Sequence, residues 1–143
     1  MTRKGHNLVR IILSMSLAAT AALAHAQAAN DVVRVNVPFD FNIGMQTFPA
    51  GEYTLKTLLP HTMMLRNEAG ETLANILFNS VEARHAPETA KLVFNGYAGR
   101  YFLAQVWRVG DNVGGELPQA HAEIEVARST PPRQLALRIV AQH

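Results

Sequence analysis

VVRVNVPFDFNIGMQTFPAGEYTLKTL, residues Val32–Leu58, alternates more strictly in its first half than any other part of the chain. Val33, Val35, Val37, Phe39, Phe41 and Ile43 fall on one parity, and Arg34, Asn36, Asp40 and Asn42 on the other. A period of two puts the first set on one face of an extended strand and the second on the opposite face. The strand predicted over Val32–Ile43 contains Pro38, which cannot donate a ladder hydrogen bond. It is therefore either an edge strand or broken near Pro38. Gly44-Met45-Gln46 is the predicted turn, and Thr47-Phe48 adds a short extended piece. Pro49-Ala50-Gly51 makes a tight turn, with Pro presetting φ and Gly supplying φ > 0. Glu52–Leu58 follows as a second strand, with Tyr53, Leu55 and Thr57 on one face.

Upstream, the chain has the pattern of a secretory leader. Arg3, Lys4 and Arg10 precede an uncharged run, Ile11–Leu23. Ala24-His25-Ala26 and Ala26-Gln27-Ala28 are small-x-small cleavage patterns, so residues 1–28 are read as a signal peptide cut after Ala26 or Ala28. The apolar run falls short of the roughly 20 residues a membrane-spanning helix needs, so no span is expected after cleavage. An exported product, periplasmic or extracellular, is the expectation, with residues 29–143 as a single β domain.

Removing the leader changes the charge argument. The 143-residue chain carries a formal +2, but residues 29–143 hold ten basic and eleven acidic residues, a net −1. They contain no Lys/Arg run, which speaks against nucleic acid as a partner. There is no cysteine, hence no disulfide and no lipid-anchoring thiol.

Downstream, Thr62–Asn67 is a short apolar strand, Glu68-Ala69-Gly70-Glu71 a turn, and Thr72–Val81 a further strand. Glu82–Ala90 reads as a loop. Lys91–Asn95 and Arg100–Arg108 form a hairpin turned at Asn95-Gly96 or Ala98-Gly99, Asn-Gly being the stronger two-residue signal. Val109–Gly115, with three glycines, reads as a loop. Pro118–Arg128 is the predicted helix, with Ala120, Ile124 and Ala127 as its apolar stripe and Glu123 and Glu125 outside it. Leu135, Leu137, Ile139 and Ala141 alternate in a closing strand. About seven short strands at this spacing predict a mainly β fold, an antiparallel sandwich or flattened barrel with one helix before the last strand.

Chemistry-bearing patterns are sparse. His61, His85, His121 and His143 lack the spacing of a zinc site, so no metal is expected. Ser80 and Ser129 lie outside any nucleophile elbow, and no catalytic residue or cofactor is assigned. Glu68/Glu71 and Glu123/Glu125 read as solvated surface. The candidate ligand-binding residues are Tyr97, Arg100, Tyr101 and Trp107, because exposed aromatics beside Arg can form a sugar- or peptide-binding platform. Phe102 and Trp107 would serve equally well in a β core.

Val37-Pro38-Phe39-Asp40-Phe41 with Phe48-Pro49-Ala50-Gly51-Glu52-Tyr53-Thr54-Leu55 resembles a group of small, uncharacterised secreted β proteins abundant in acidobacteria. The resemblance continues through Lys91-Leu92-Val93-Phe94, Arg100-Tyr101-Phe102-Leu103, Gln105-Val106-Trp107 and Gly115-Glu116-Leu117-Pro118. It implies an exported β domain, and the group has no assigned activity to carry over. Separately, Pro-Ala-Gly-x-Tyr-x-Leu is similar to a turn-and-strand motif of extracellular β-sandwich modules, which implies that Tyr53 and Leu55 point inward. The expected function is a non-catalytic binding or structural module. Its partner would be a protein, a cell-envelope polymer or a second copy joined through an edge strand such as that of Pro38. The alternative is a carrier holding a small apolar ligand, with Met45, Met63 and Met64 as candidate cavity lining. A hydrolase ranks last.

Overall fold

The computed structural model describes residues 32–138; the leader with its cleavage sites and residues 139–143 lie outside the described residues. The strands are β1 Val32–Val37, β2 Phe41–Ile43, β3 Gln46–Phe48, β4 Gly51–Leu59, β5 Thr62–Asn67, β6 Thr72–Leu77, β7 Asn79–Glu82, β8 Lys91–Tyr97, β9 Arg100–Trp107, β10 Val113–Glu116 and β11 Arg133–Arg138. One helix, α1 His121–Ala127, precedes β11. A smaller sheet runs β1-β4-β5-β6, and a larger one β11-β8-β9-β10-β7, with β2 joined to β9 and β3 to β2. Both sheets are open, so the fold is a β-sandwich and not a closed barrel.

The opening stretch threads both layers. β1 pairs with β4 in the smaller sheet, and β2 and β3 belong to the larger one. Pro38 and Pro49 stand at the two crossings, where a missing N–H costs no ladder bond. The crossings are tied together: Ala50 N donates to Asp40 Oδ1 at 2.9 Å, and Tyr53 OH donates to the Pro49 carbonyl. The single-parity residues fill one core from both sides. Val33, Val35 and Val37 enter it from the smaller sheet, and Phe41 enters from the larger. Phe41 meets Phe48, Tyr53 and Phe94 with ring centres 5.2–5.6 Å apart. Tyr53 and Leu55 are buried, as the Pro-Ala-Gly motif implies. Burying such side chains stabilises by about 1.5–3 kcal/mol each.

Among the described residues the strands number eleven rather than about seven. Val32–Ile43 is broken at Pro38, as the proline allowed. Thr72–Val81, expected as one strand, divides at Phe78, whose N–H bonds the His61 carbonyl instead of a strand partner. The hairpin turns at Ala98-Gly99, with φ of 48° and 87°, and Tyr97 opposes Arg100. Asn95-Gly96 therefore lies within β8.

The expected loop 109–115 contains part of β10. Gly110 keeps the turn, at φ 72°, while Gly114 and Gly115 accommodate rings: a Cβ on Gly114 would lie 2.7 Å from the Trp107 ring, and one on Gly115 2.7 Å from Phe78. Glycine at these two positions reflects a close approach of aromatics to the backbone rather than a turn. The helix is shorter than Pro118–Arg128, and Glu123 and Ile124 exchange the places expected of them, while Glu125 is exposed as expected. Glu123 is buried at 3% exposure while Ile124 is 38% exposed.

Candidate functional site

The hairpin β8–β9 carries all four sequence-derived candidates, and its register disperses them. Opposed residues share a face of the sheet, so the pairs Tyr97↔Arg100, Asn95↔Phe102 and Lys91↔Trp107 lie on its outer face. Gly96↔Tyr101, Phe94↔Leu103 and Leu92↔Val106 lie on the inner face. A bulge at Ala104 keeps this division after a change of parity along β9.

Tyr97 is buried beneath α1. Its hydroxyl donates to Glu123 Oε1 at 3.1 Å, and Asn95 Nδ2 donates to the same oxygen at 2.9 Å. A buried carboxylate needs such donors, which is why Glu123 rather than Ile124 faces the sheet. Burial, and then the Glu123 charge, raise the Tyr97 hydroxyl above its ordinary pKa. Arg100 is exposed, with its guanidinium 5.4 Å from the centre of the Phe102 ring. Trp107 is buried against Gly114; its Nε1 donates to Gln105 Oε1 at 3.0 Å, and Lys91 Nζ lies 5.4 Å above its ring. The four residues therefore make no common aromatic surface.

Of the four, Tyr101 lines the groove beside the Ala98-Gly99 turn. The Phe39 ring stacks on it at 4.2 Å, and a Cβ on its opposite residue Gly96 would lie 3.1 Å from Tyr101 Cε1. The ring is thus fixed between Phe39 and the Gly96 backbone, and Asn42 Nδ2 donates to the Tyr101 carbonyl at 3.0 Å. The groove, about 400 Å³, runs from the Ala98-Gly99 turn past Gly96 and Tyr101 to Arg133, Gln134 and Leu135 of β11. β11 is the terminal strand of the larger sheet, and five of its six residues are exposed; only Leu137 is half-buried. Arg133 and Leu135 oppose Gly96 and Phe94, so they lie on the core-facing side of the sheet without being covered there. The groove offers a rigid aromatic edge, one cation and an apolar side chain, beside a strand edge that has no partner among the described residues.

The alternation of Leu135 and Leu137 marks β11 in the sequence, but no sequence pattern marks Gly96 or Arg133 as groove residues. Of the methionines, Met45 is 90% exposed, Met63 belongs to the core and Met64 opposes Lys56 and Asn75 on the outer face of the smaller sheet. They share no cavity. Ser129 Oγ donates to the Val126 carbonyl, and Ser80 lies exposed in β7. Among the described residues no group of three or more His, Asp or Glu side chains could hold a metal ion. No helix among them is long and apolar enough to cross a membrane. Comparison with protein-family models, curated proteins and solved structures finds no match.

Proposed function

We propose that this chain is a non-catalytic binding module of the periplasm or extracellular space, and that it binds an extended segment of a protein partner along β11. The observation that carries this reading is an exposed edge strand, without a partner on its outer side among the described residues, lying beside a groove lined by Tyr101. A segment adding to β11 would gain main-chain hydrogen bonds. Its alternate side chains would enter the groove against Leu135 and Tyr101, the division of labour seen in strand addition. Export rests on the leader pattern of residues 1–28.

The test is native purification from the exported fraction with mass spectrometry of what co-purifies, run beside a Leu135→Lys variant. Leu135 is exposed, so the variant should fold normally. A protein partner retained by the native chain and lost by the variant is the expected result. Equal retention by both, or no partner in either, removes the proposal. A second copy of the chain as the sole partner would identify the module as self-associating.

A further inference from the structure

The outer face of the smaller sheet carries a row of charge that no run in the sequence displays. Register aligns Arg34 of β1, Thr54 of β4, Arg66 of β5 and Thr72 of β6 straight across the four strands. Val33, Val35, Leu55 and Leu65 enter the core, so alternation sends this row outward. Lys56 stands in the adjacent row, opposite Met64, whose other neighbour is Asn75. Among the described residues none of Arg34, Lys56 and Arg66 makes an ion pair. Glu52 stands two residues along β4 from Thr54, opposite Asn36, and Glu71 Oε2 is engaged by Asn67 Nδ2.

Arg66 is the informative member. Its Nε is buried and donates to no acceptor. Its neighbour Met64 is also buried although it lies on an outer face, with Thr72 Oγ1 3.2 Å from its sulfur. Arg66 is therefore held against the sheet by its buried stem. A guanidinium binds carboxylate or phosphate through paired N–H donors, and with Nε shielded from solvent the outer Nη pair is the edge an anion can reach.

We propose that this face binds an acidic polysaccharide, with Arg34 and Arg66 engaging successive acidic residues and Lys56 adding charge beside them. Arg34 and Arg66 are two strands apart, roughly 10 Å at an inter-strand spacing of about 4.8 Å. That separation suits a polymer in which every second sugar is acidic. Thr54 places a hydroxyl between Arg34 and Arg66, and Asn36, Thr72 and Asn75 flank the cations with further amide and hydroxyl groups for sugar hydroxyls. The face has no aromatic side chain in these rows, which disfavours neutral sugars and single-stranded nucleic acid, since both rely on stacking. The surface is separate from the β11 groove, so the two proposals stand or fall independently.

The experiment is affinity electrophoresis and calorimetry of the protein with hyaluronate, in which every second sugar is a uronate, using a neutral glucan, polyphosphate and oligo-dT as comparison probes. Retention by hyaluronate should exceed that by every comparison probe. Arg34→Gln with Arg66→Gln should weaken binding by about tenfold or more, the scale of losing two charge-assisted contacts. Arg34→Gln alone, at an exposed edge position, should weaken it less, and covers the case of an Arg66 variant that fails to fold. Leu135→Lys should bind normally. Absence of retention, equal binding by Arg34→Gln and the native protein, or tighter binding of polyphosphate or oligo-dT would each overturn the assignment.

Discussion

β1 and β11 are both terminal strands of their sheets, and both alternate in sequence, yet they end in opposite states. β1 buries Val33, Val35 and Val37 at 5, 7 and 0% exposure. β11 presents the same period through Leu135 and Leu137, and Leu135 remains 38% exposed. The difference lies in what stands opposite. The smaller sheet supplies β4, β5 and β6 beside β1, and the rings of Phe41 and Phe94 cover it from the larger sheet. The Arg133–Leu135 half of β11 has no such cover. Period two specifies an extended strand with two faces; burial requires a second layer, and that layer comes from distant parts of the chain. An apolar-alternating edge without its layer is where a partner fits.

Four substitutions or conditions sharpen the contrast, from the largest effect downward. Phe41→Ala, at the crossing that follows β1, removes contacts with Phe48, Tyr53 and Phe94 and should cost about 3–5 kcal/mol in denaturant unfolding. A smaller loss would mean that the aromatic cluster is not what fastens the β1 end of the sandwich. Glu123→Ala, in the helix that leads to β11, leaves the Asn95 and Tyr97 donors buried without an acceptor. It should cost about 1–3 kcal/mol, and Glu123→Gln less.

Alkaline titration tests the same network. Tyr97 ionises above its ordinary value of 10.0 in the folded protein because burial, then the Glu123 charge, disfavour the phenolate. The folded state holds its proton longer, so this contribution is intact below pH 10 and is lost as pH rises through the raised folded value. Tyr53 adds in the same direction, from burial and then Asp40. Tyr97→Phe should flatten the pH dependence of unfolding above pH 10; an unchanged slope would remove Tyr97 as its source. Smallest of all, Leu135→Ala should change stability by no more than about 0.5 kcal/mol, because the side chain packs against little in the free protein. A loss approaching that of a core residue would erase the contrast with β1.

Much of this architecture was legible because it follows from local rules. Alternation located Val32–Leu58, and the prolines announced an edge or a break; both occur, since β1 is an edge and the chain changes sheets at Pro38. Less was legible where a residue's role depends on a distant side chain. Gly114 and Gly115 look like loop glycines until the rings of Trp107 and Phe78 occupy the space a Cβ would need. Glu123 looks like a solvated helix residue until Asn95 and Tyr97 present two donors to it. The candidate aromatic surface dispersed for the same reason: without the Ala98-Gly99 turn and the bulge at Ala104, the faces of Tyr97, Tyr101 and Trp107 could not be assigned. Tyr101 was the one candidate the groove retained, and its groove neighbours Arg133 and Leu135 reach it only through the β11–β8 register.

Amide hydrogen exchange of the free protein and of the complex with the co-purifying partner tests the central claim most directly, because it reads β1 and β11 in one experiment. Strand addition at β11 predicts that amides of Arg133–Arg138 exchange more slowly in the complex, while those of Val32–Val37 are unchanged. Protection gained at Val32–Val37 instead, or at neither strand, would contradict it.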